Sequence, residues 1–140
     1  MTILVADDDR GLVLFLSRHL IKRGFEVVGA YDAMQASNVA MRQPIGAVIL
    51  DIQMPAGTGL EVLKRMRSNP RSSVIPVIVL SGSIRPGMEQ EVKAMGADGF
   101  LEKPVDLAKL DHLLATLLGS PVGSAELGDP PGSPSGPEKV

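Results

Sequence analysis

The sequence predicts an α/β fold, in which a parallel five-stranded sheet carries helices on both faces. Short β-branched segments alternate five times with segments of helical periodicity, the pattern of consecutive strand–helix units. The chain has 140 residues, of which 44% are hydrophobic and 21% are charged, and these values are typical of one globular domain. An intrinsically disordered or fibrous chain is therefore not expected.

The predicted strands are short apolar runs, and each is followed by a helical pattern. We predict strands at residues 2–6, 26–30, 47–50, 77–80 and 98–102, and helices at 10–23, 33–42, 59–67, 88–95 and 107–118. Gly24 is suited to end the first helix, and Asp32 and Asp106 are suited to cap the second and fifth. Thr58 and Glu61 have the spacing of a capping box at the start of the third.

The composition changes near the end of the chain. In residues 119–140, 14 of 22 residues are Gly, Pro or Ser, and the helical periodicity stops. We interpret residues 1–118 as the folded domain and 119–140 as a disordered tail or linker, too short for an effector domain. The tail is compatible with a complete single-domain protein and with a fragment whose effector domain is missing.

Charge and composition limit the possible partners. Residues 1–118 carry 13 basic and 13 acidic side chains, and 3% of the chain is aromatic. A neutral domain of this kind lacks the basic surface that direct nucleic-acid binding requires. The apolar runs are far shorter than the roughly 20 residues of a membrane span. With no cysteine and no positively charged leader, the expected location is the cytoplasm.

Polar residues follow four of the predicted strands. Because parallel strands end at the same edge of a sheet, we expect their side chains to meet in one crevice. These residues are Asp7, Asp8 and Asp9 after the first strand, Asp51 after the third, Ser81 at the fourth and Lys103 after the fifth.

Several of these residues also have a structural interpretation. Asp9 is placed to cap the first helix, and Asp51 and Ser81 could belong to turns. Lys103 could be a solvated surface amine. One cap uses one carboxylate, however, and neighbouring anions repel one another unless a cation or protonation relieves them. The two acids that precede Asp9 therefore indicate a functional site.

This set of side chains is suited to phosphoryl transfer. Carboxylate oxygens are ligands that Mg²⁺ prefers, and a divalent cation would neutralise the net charge of Asp7, Asp8, Asp51 and Lys103. Asp51 stands alone after a central strand and is the predicted nucleophile for an aspartyl phosphate. Asp7 and Asp8 are predicted to share the metal, and Lys103 to stabilise the phosphoryl oxygens.

Together these motifs resemble the receiver domain of two-component response regulators, in particular the single-domain, chemotaxis-type regulators. Ser81 lies 30 positions and Lys103 lies 52 positions after Asp51, as in that family, and the resemblance covers residues 1–118. The motifs are Val5-Ala6-Asp7-Asp8-Asp9, Asp51-Ile52-Gln53-Met54-Pro55 with Gly59, Ser81-Gly82, and Lys103-Pro104.

The resemblance implies a flavodoxin-like doubly wound sheet in the order 2-1-3-4-5 with five helices. It implies a Mg²⁺ site formed by Asp7, Asp8, Asp51 and the backbone carbonyl of Gln53. It also implies that a histidine kinase or a phosphotransfer protein phosphorylates Asp51. No enzymatic activity is expected beyond the chain's own phosphorylation and slow dephosphorylation.

The resemblance further implies a conformational switch. The Ser81 hydroxyl would move to the phosphoryl group, and Phe100 would rotate into the vacated space. On sequence alone, however, Phe100 is better interpreted as a core aromatic residue of the fifth strand. The family often has Thr and Tyr at these two positions. The face formed by the fourth helix, fifth strand and fifth helix would then control a downstream protein. In the family the Lys103-Pro104 bond is usually cis.

Two residues are predicted to set the lifetime of the phosphorylated form. In receivers, the positions two after the nucleophile and two after the hydroxyl flank the path of the hydrolytic water. They correspond here to Gln53 and Ser83. The alternative is that both are solvated loop residues.

Two other functions are alternatives for the same fold class. A haloacid-dehalogenase-type phosphatase would use Asp7 as nucleophile with Asp9 as its spaced partner, but Arg10-Gly11 replaces the expected Gly-Thr, and Asp51 would have no role. A flavin-binding protein would need a Ser/Thr/Gly phosphate loop after the first strand, where this chain has three acids.

Overall fold

The computed structural model describes residues 1–119, in which five strands alternate with five helices. The strands are β1 (Thr2–Ala6), β2 (Glu26–Ala30), β3 (Ala47–Asp51), β4 (Val77–Ser81) and β5 (Gly99–Glu102). The helices are α1 (Arg10–Lys22), α2 (Ala33–Arg42), α3 (Gly59–Ser68), α4 (Met88–Ala94) and α5 (Leu107–Leu118). No helix in this range is long and apolar enough to span a membrane. The predicted tail, apart from Gly119, lies outside the described residues.

The five strands form one parallel sheet in the order β2-β1-β3-β4-β5. This confirms the predicted fold class and strand order. Every residue of β3 and β4 is buried. Since helices cover both faces of the sheet, its central strands need apolar side chains on both sides, which explains their continuous apolar sequences.

Each face of the sheet has its own apolar core. Helices α1 and α5 pack on one face and contribute Val13, Leu16, Leu20, Leu110 and Leu114. Helices α2, α3 and α4 pack on the other face and contribute Ala33, Ala36, Ala40, Val62, Leu63, Met66, Met88 and Val92. Successive strand side chains point alternately into these two cores, as expected for a strand period of two.

The predicted helix caps are confirmed. Asp9, Asp32 and Asp106 each accept a hydrogen bond from a backbone N–H in the first turn of α1, α2 and α5. Thr58 and Glu61 form the complete capping box of α3. These contacts are local, so they follow from the sequence alone.

Several element ends differ by one residue from the prediction. Strand β3 includes Asp51 and β4 includes Ser81, because backbone hydrogen bonds continue past both residues. The carbonyl of Ser81, for example, accepts a 2.8 Å hydrogen bond from the N–H of Lys103. Strand β5 begins at Gly99, and α1, α3 and α4 end one residue from their predicted ends. Asp51 and Ser81 are therefore held by the sheet and are not loop residues.

Candidate functional site

Three carboxylates meet at the carboxyl ends of β1 and β3. Asp7, Asp8 and Asp51 each place an oxygen within 4.8 Å of the others. Asp7 and Asp51 are buried, and Asp8 is exposed. Asp9 does not belong to this cluster, because its carboxylate caps α1 by accepting a hydrogen bond from the N–H of Leu12. The predicted convergence of the acids is thus present in the structure, and Asp9 has the capping role.

Lys103 places its amine between the two buried acids. Its Nζ lies 2.7 Å from Oδ2 of Asp7 and 3.3 Å from Oδ1 of Asp51. Lys103 follows the outer strand β5, whereas Asp7 and Asp51 follow or end the inner strands β1 and β3. This contact therefore connects an outer strand to two inner strands. The amine supplies one positive charge to a group of three carboxylates.

The donor set fits a magnesium ion. Oδ2 of Asp7 is buried and has no hydrogen-bond partner of good geometry among the described residues, and it forms a 2.7 Å ion pair with the Lys103 amine. A buried oxygen of this kind is costly unless a cation compensates it. Three hard carboxylate ligands that can share one cation, one of them exposed to solvent, match the preference of Mg²⁺ for carboxylates and waters.

The electrostatic environment raises the pKa of both Asp51 and Lys103. Burial and the neighbouring charge of Asp7 raise the pKa of Asp51, and Lys103 and the backbone N–H of Gln53 offset only part of this rise. Burial alone would lower the pKa of Lys103, but Asp7 and Asp51 raise it above its ordinary value. The carboxylates of Asp7 and Asp51 therefore repel each other when both are ionised, while Lys103 stays protonated.

The Ser81 hydroxyl forms hydrogen bonds with the backbone of Ser83 and not with the acids. It donates a 3.0 Å hydrogen bond to the carbonyl of Ser83 and accepts one of 3.3 Å from the Ser83 N–H. In this conformation the Ser81 side chain is bonded to the segment that follows β4, although its backbone belongs to the strand. The following residue, Gly82, lies beside the Lys103 side chain, where an added Cβ would stand 3.7 Å from a lysine methylene.

The other predicted residues are more exposed than the two buried acids. Phe100 is half-buried, packs against the core of α2, α3 and α4, and lines a cavity of about 710 Å³ next to the loop between β4 and α4. Gln53 and Ser83 are exposed, and Gln53 pairs with Thr58 through an isolated antiparallel bridge. The Lys103-Pro104 peptide bond is cis, as the resemblance implied.

Gly59 supports the site in a way that the sequence analysis did not explain. A Cβ at this position would overlap with the carbonyl oxygen of Asp51, and the Gly59 N–H donates a 2.8 Å hydrogen bond to the carbonyl of Ile52. The start of α3 therefore packs directly against the backbone that carries Asp51. A glycine directly after an N-cap was the available signal, but its contact partner depends on the tertiary fold.

A family model described as "Response regulator receiver domain" matches residues 3–115. The chain belongs to this family. Members accept a phosphoryl group on an aspartate and act as signalling switches. The finding agrees with the geometry of Asp51, and it gives no support to the haloacid-dehalogenase-type hypothesis.

Individual relatives agree with this assignment. The receiver is 35% identical over 125 residues to the transcriptional regulatory protein TctD of Salmonella typhimurium, a match that covers 88% of this chain and 54% of TctD. The chain thus spans about half the length of that relative.

Solved structures of receivers also match. Chemotaxis protein CheY4 of Vibrio cholerae has 31% identity and a TM-score of 0.76, with 83% of this chain and 97% of CheY4 covered. The receiver domain of the sensor histidine kinase PA1611 from Pseudomonas aeruginosa, solved with magnesium in its active-site cleft, has 25% identity and a TM-score of 0.77. That match covers 85% of this chain and 98% of the other.

The raised pKa of Asp51 predicts a pH-dependent stability. Between the ordinary pKa of Asp51 and its raised folded value, the native state binds more protons than the unfolded state, so this group's contribution to stability falls as pH rises. We expect Asp51→Asn to melt at a higher temperature than the wild type at pH 7 with EDTA. The gain should disappear as pH falls below the ordinary pKa.

Thermal unfolding followed by circular dichroism at several pH values measures this effect. Glu102→Gln is the matched control, because Glu102 is an exposed carboxylate on β5. Equal melting temperatures for Asp51→Asn and wild type at pH 7 would contradict the predicted repulsion at Asp51.

Proposed function

We propose that this chain accepts a phosphoryl group on Asp51 and transmits the change to a partner protein. The observation that carries the proposal is the position of the Asp51 carboxylate, which is buried at the end of a central strand, 3.3 Å from the Lys103 amine and beside two further acids. A buried carboxylate with a raised pKa that faces a cation is a candidate nucleophile.

In the proposed reaction, an Asp51 oxygen forms a bond to phosphorus as the donor's bond to phosphorus breaks. The Lys103 amine stabilises the negative charge on the phosphoryl oxygens. Asp7, Asp8, Asp51 and the backbone carbonyl of Gln53 would hold Mg²⁺, which supplies further neutralisation of that charge. The chain's chemistry would be limited to its own phosphorylation and dephosphorylation.

The switch would begin at Ser81. For its hydroxyl to reach a phosphoryl oxygen on Asp51, the two hydrogen bonds with the Ser83 backbone must break. The loop between β4 and α4 would then move, and Phe100 would rotate toward the vacated space. The face of α4, β5 and α5 would consequently present a different surface to a downstream protein or effector domain.

The phosphoryl donor would be a histidine kinase or a phosphotransfer protein in the cytoplasm, and α1 offers a surface for it. Leu14 and Phe15 are 52% and 51% exposed and are adjacent apolar side chains on the surface of α1. Helix α1 contains no acidic residue, and Arg18 and Lys22 line the same groove as Leu14 and Phe15. Because α1 begins next to the acid cluster, a partner on this surface could reach Asp51.

Residues 119–140 are proposed to be a tail or linker that takes no part in the phosphorylation of Asp51.

Direct phosphorylation tests the central proposal. With Mg²⁺ and a small acyl-phosphate donor, the wild type should gain one phosphoryl group that hydroxylamine removes, and Asp51→Asn should gain none. Intact-protein mass spectrometry measures the adduct. Turnover of phosphate esters without a requirement for Asp51 would instead indicate a phosphatase.

Mg²⁺ should stabilise the fold, because it relieves the repulsion among the three carboxylates. The expected gain is about 2.7 kcal/mol at one hundred times the dissociation constant. Melting temperature across a Mg²⁺ titration at constant ionic strength gives the measurement. Asp8→Asn should weaken the response, whereas Glu102→Gln should keep it. A wild-type melting temperature indifferent to Mg²⁺ would argue against a metal site.

Substitution of Gln53 or Ser83 should change the lifetime of the phosphorylated form by about tenfold, which is 1.4 kcal/mol in the hydrolysis barrier. The physical reason is that both side chains would flank the attacking water. Loss of the adduct with time is measured for Gln53→Ala, Ser83→Ala and the distant exposed control Gln43→Ala. Decay rates equal to that of the wild type would support the solvated-loop interpretation.

Phe15→Ala should slow phosphotransfer from a phosphorylated histidine phosphotransfer protein by about tenfold or more, as expected for an interface hot spot. Phosphorylation by the small acyl phosphate should not change, because that donor needs no protein surface. Ile21→Ala is the control, since Ile21 is 58% exposed near the far end of the same helix. A similar loss with both donors would place the effect of Phe15 in the fold and not in docking.

A further inference from the structure

Arg67, near the end of α3, binds two loops at the amino ends of the strands. The acids lie at the carboxyl ends, on the opposite edge of the sheet. Its Nε donates a 2.9 Å hydrogen bond to the carbonyl of Gly96, and its Nη1 donates one of 2.8 Å to the carbonyl of Ile75. Its Nη2 lies 2.9 Å from Oδ2 of Asp98. One guanidinium thus joins α3 to the segment before β4 and to the turn between α4 and β5.

The residues around Arg67 favour this set of hydrogen bonds. The side chain is 20% exposed, and the same Asp98 oxygen also accepts a 2.9 Å hydrogen bond from the N–H of Val77 at the start of β4. Gly96 has a φ of +112°, and an added Cβ would lie 2.8 Å from the Arg67 side chain. Glycine is therefore required at position 96 both by the backbone angle and by the proximity of the arginine.

The two ends of α4 are held very differently. At its start, Gly87 provides no side-chain cap and residues 82–87 are exposed, although the first helical residue, Met88, is buried in the core. At its end, the N–H groups of Gly96 and Ala97 donate to the carbonyls of Lys93 and Val92, and Ala97 is buried. Arg67 adds its hydrogen bond to Gly96 at this second end. Local stability in a protein follows such differences in burial and hydrogen bonding.

We propose that Arg67 is a positioning residue that anchors the C-terminal end of α4 to the sheet. Phosphorylation of Asp51 would then displace residues 82–90, which follow Ser81, while residues 93–98 stay in place. Arg67 would therefore convert a local change at Ser81 into a pivoting of α4, and not into a shift of the whole helix. This inference rests on the proposed phosphorylation of Asp51 and adds the direction of the resulting motion.

Amide hydrogen exchange of the full chain tests this inference, with and without Mg²⁺ and a small acyl-phosphate donor. In the wild type, phosphorylation should change exchange in residues 82–90 and leave residues 93–98 unchanged. In Arg67→Gln, exchange in residues 93–98 should rise by about tenfold or more, the factor expected for the loss of a hydrogen bond to a charged group. Phosphorylation should then alter both segments.

Arg65→Gln is the matched control, because Arg65 is an exposed arginine on the same helix. If Arg67→Gln does not fold, Asp98→Asn removes the ion pair, keeps an acceptor for the Val77 N–H, and should show the same change at smaller amplitude. Two outcomes overturn the inference and leave the proposed function intact. In one, phosphorylation changes exchange in residues 93–98 of the wild type. In the other, the exchange profile of Arg67→Gln matches that of Arg65→Gln. Absence of a wild-type adduct in the parallel mass measurement overturns the proposed function and the inference with it.

Discussion

The contact of Lys103 with two buried carboxylates is the interaction on which the site depends. Its amine lies between Asp7 and Asp51 and compensates one of the negative charges of the carboxylates at this end of the sheet. Asp8 adds a third carboxylate to the cluster. Because one amine cannot neutralise three acids, the site favours the arrival of further positive charge. This imbalance connects the fold to the proposed magnesium and phosphoryl chemistry.

The parallel sheet brings the excess negative charge together, and the two apolar cores keep the carboxylates of Asp7 and Asp51 buried. All five strands end at one edge, so residues from β1, β3 and β5 meet although they lie far apart in the chain. Helices on both faces bury the central strands and remove water from Asp7 and Asp51. The close packing of Gly59 against the Asp51 carbonyl holds the backbone that carries this carboxylate. Burial therefore raises the pKa of Asp51 at the same point where the proposed reaction needs a nucleophile.

Helix α4 links the two edges of the sheet. It follows Ser81 and the loop that contains Ser83 at the acidic edge, and it ends just before Gly96, which contacts Arg67 at the other edge. The proposed chemistry takes place at the acidic edge, and Arg67 at the other edge is anchored to backbone carbonyls and Asp98. A short helix held firmly at one end converts a small change at the other end into a change of direction. Under the proposed phosphorylation, this arrangement would let the face of α4, β5 and α5 respond to the change at Asp51.

The fold class, the five strands and five helices, the caps and the residues of the acid cluster could all be predicted from the sequence. Apolar periodicity, capping and the common edge of parallel strands depend on residue types close together in the chain or on one topological rule. Tertiary structure alone decided that the Ser81 hydroxyl turns to Ser83 and that Gly59 packs on the Asp51 backbone. It also decided that Arg67 bonds to groups 29 and 31 residues away. A single sequence contains the donors and acceptors of such contacts, but their distances exist only after the helices have packed on the sheet.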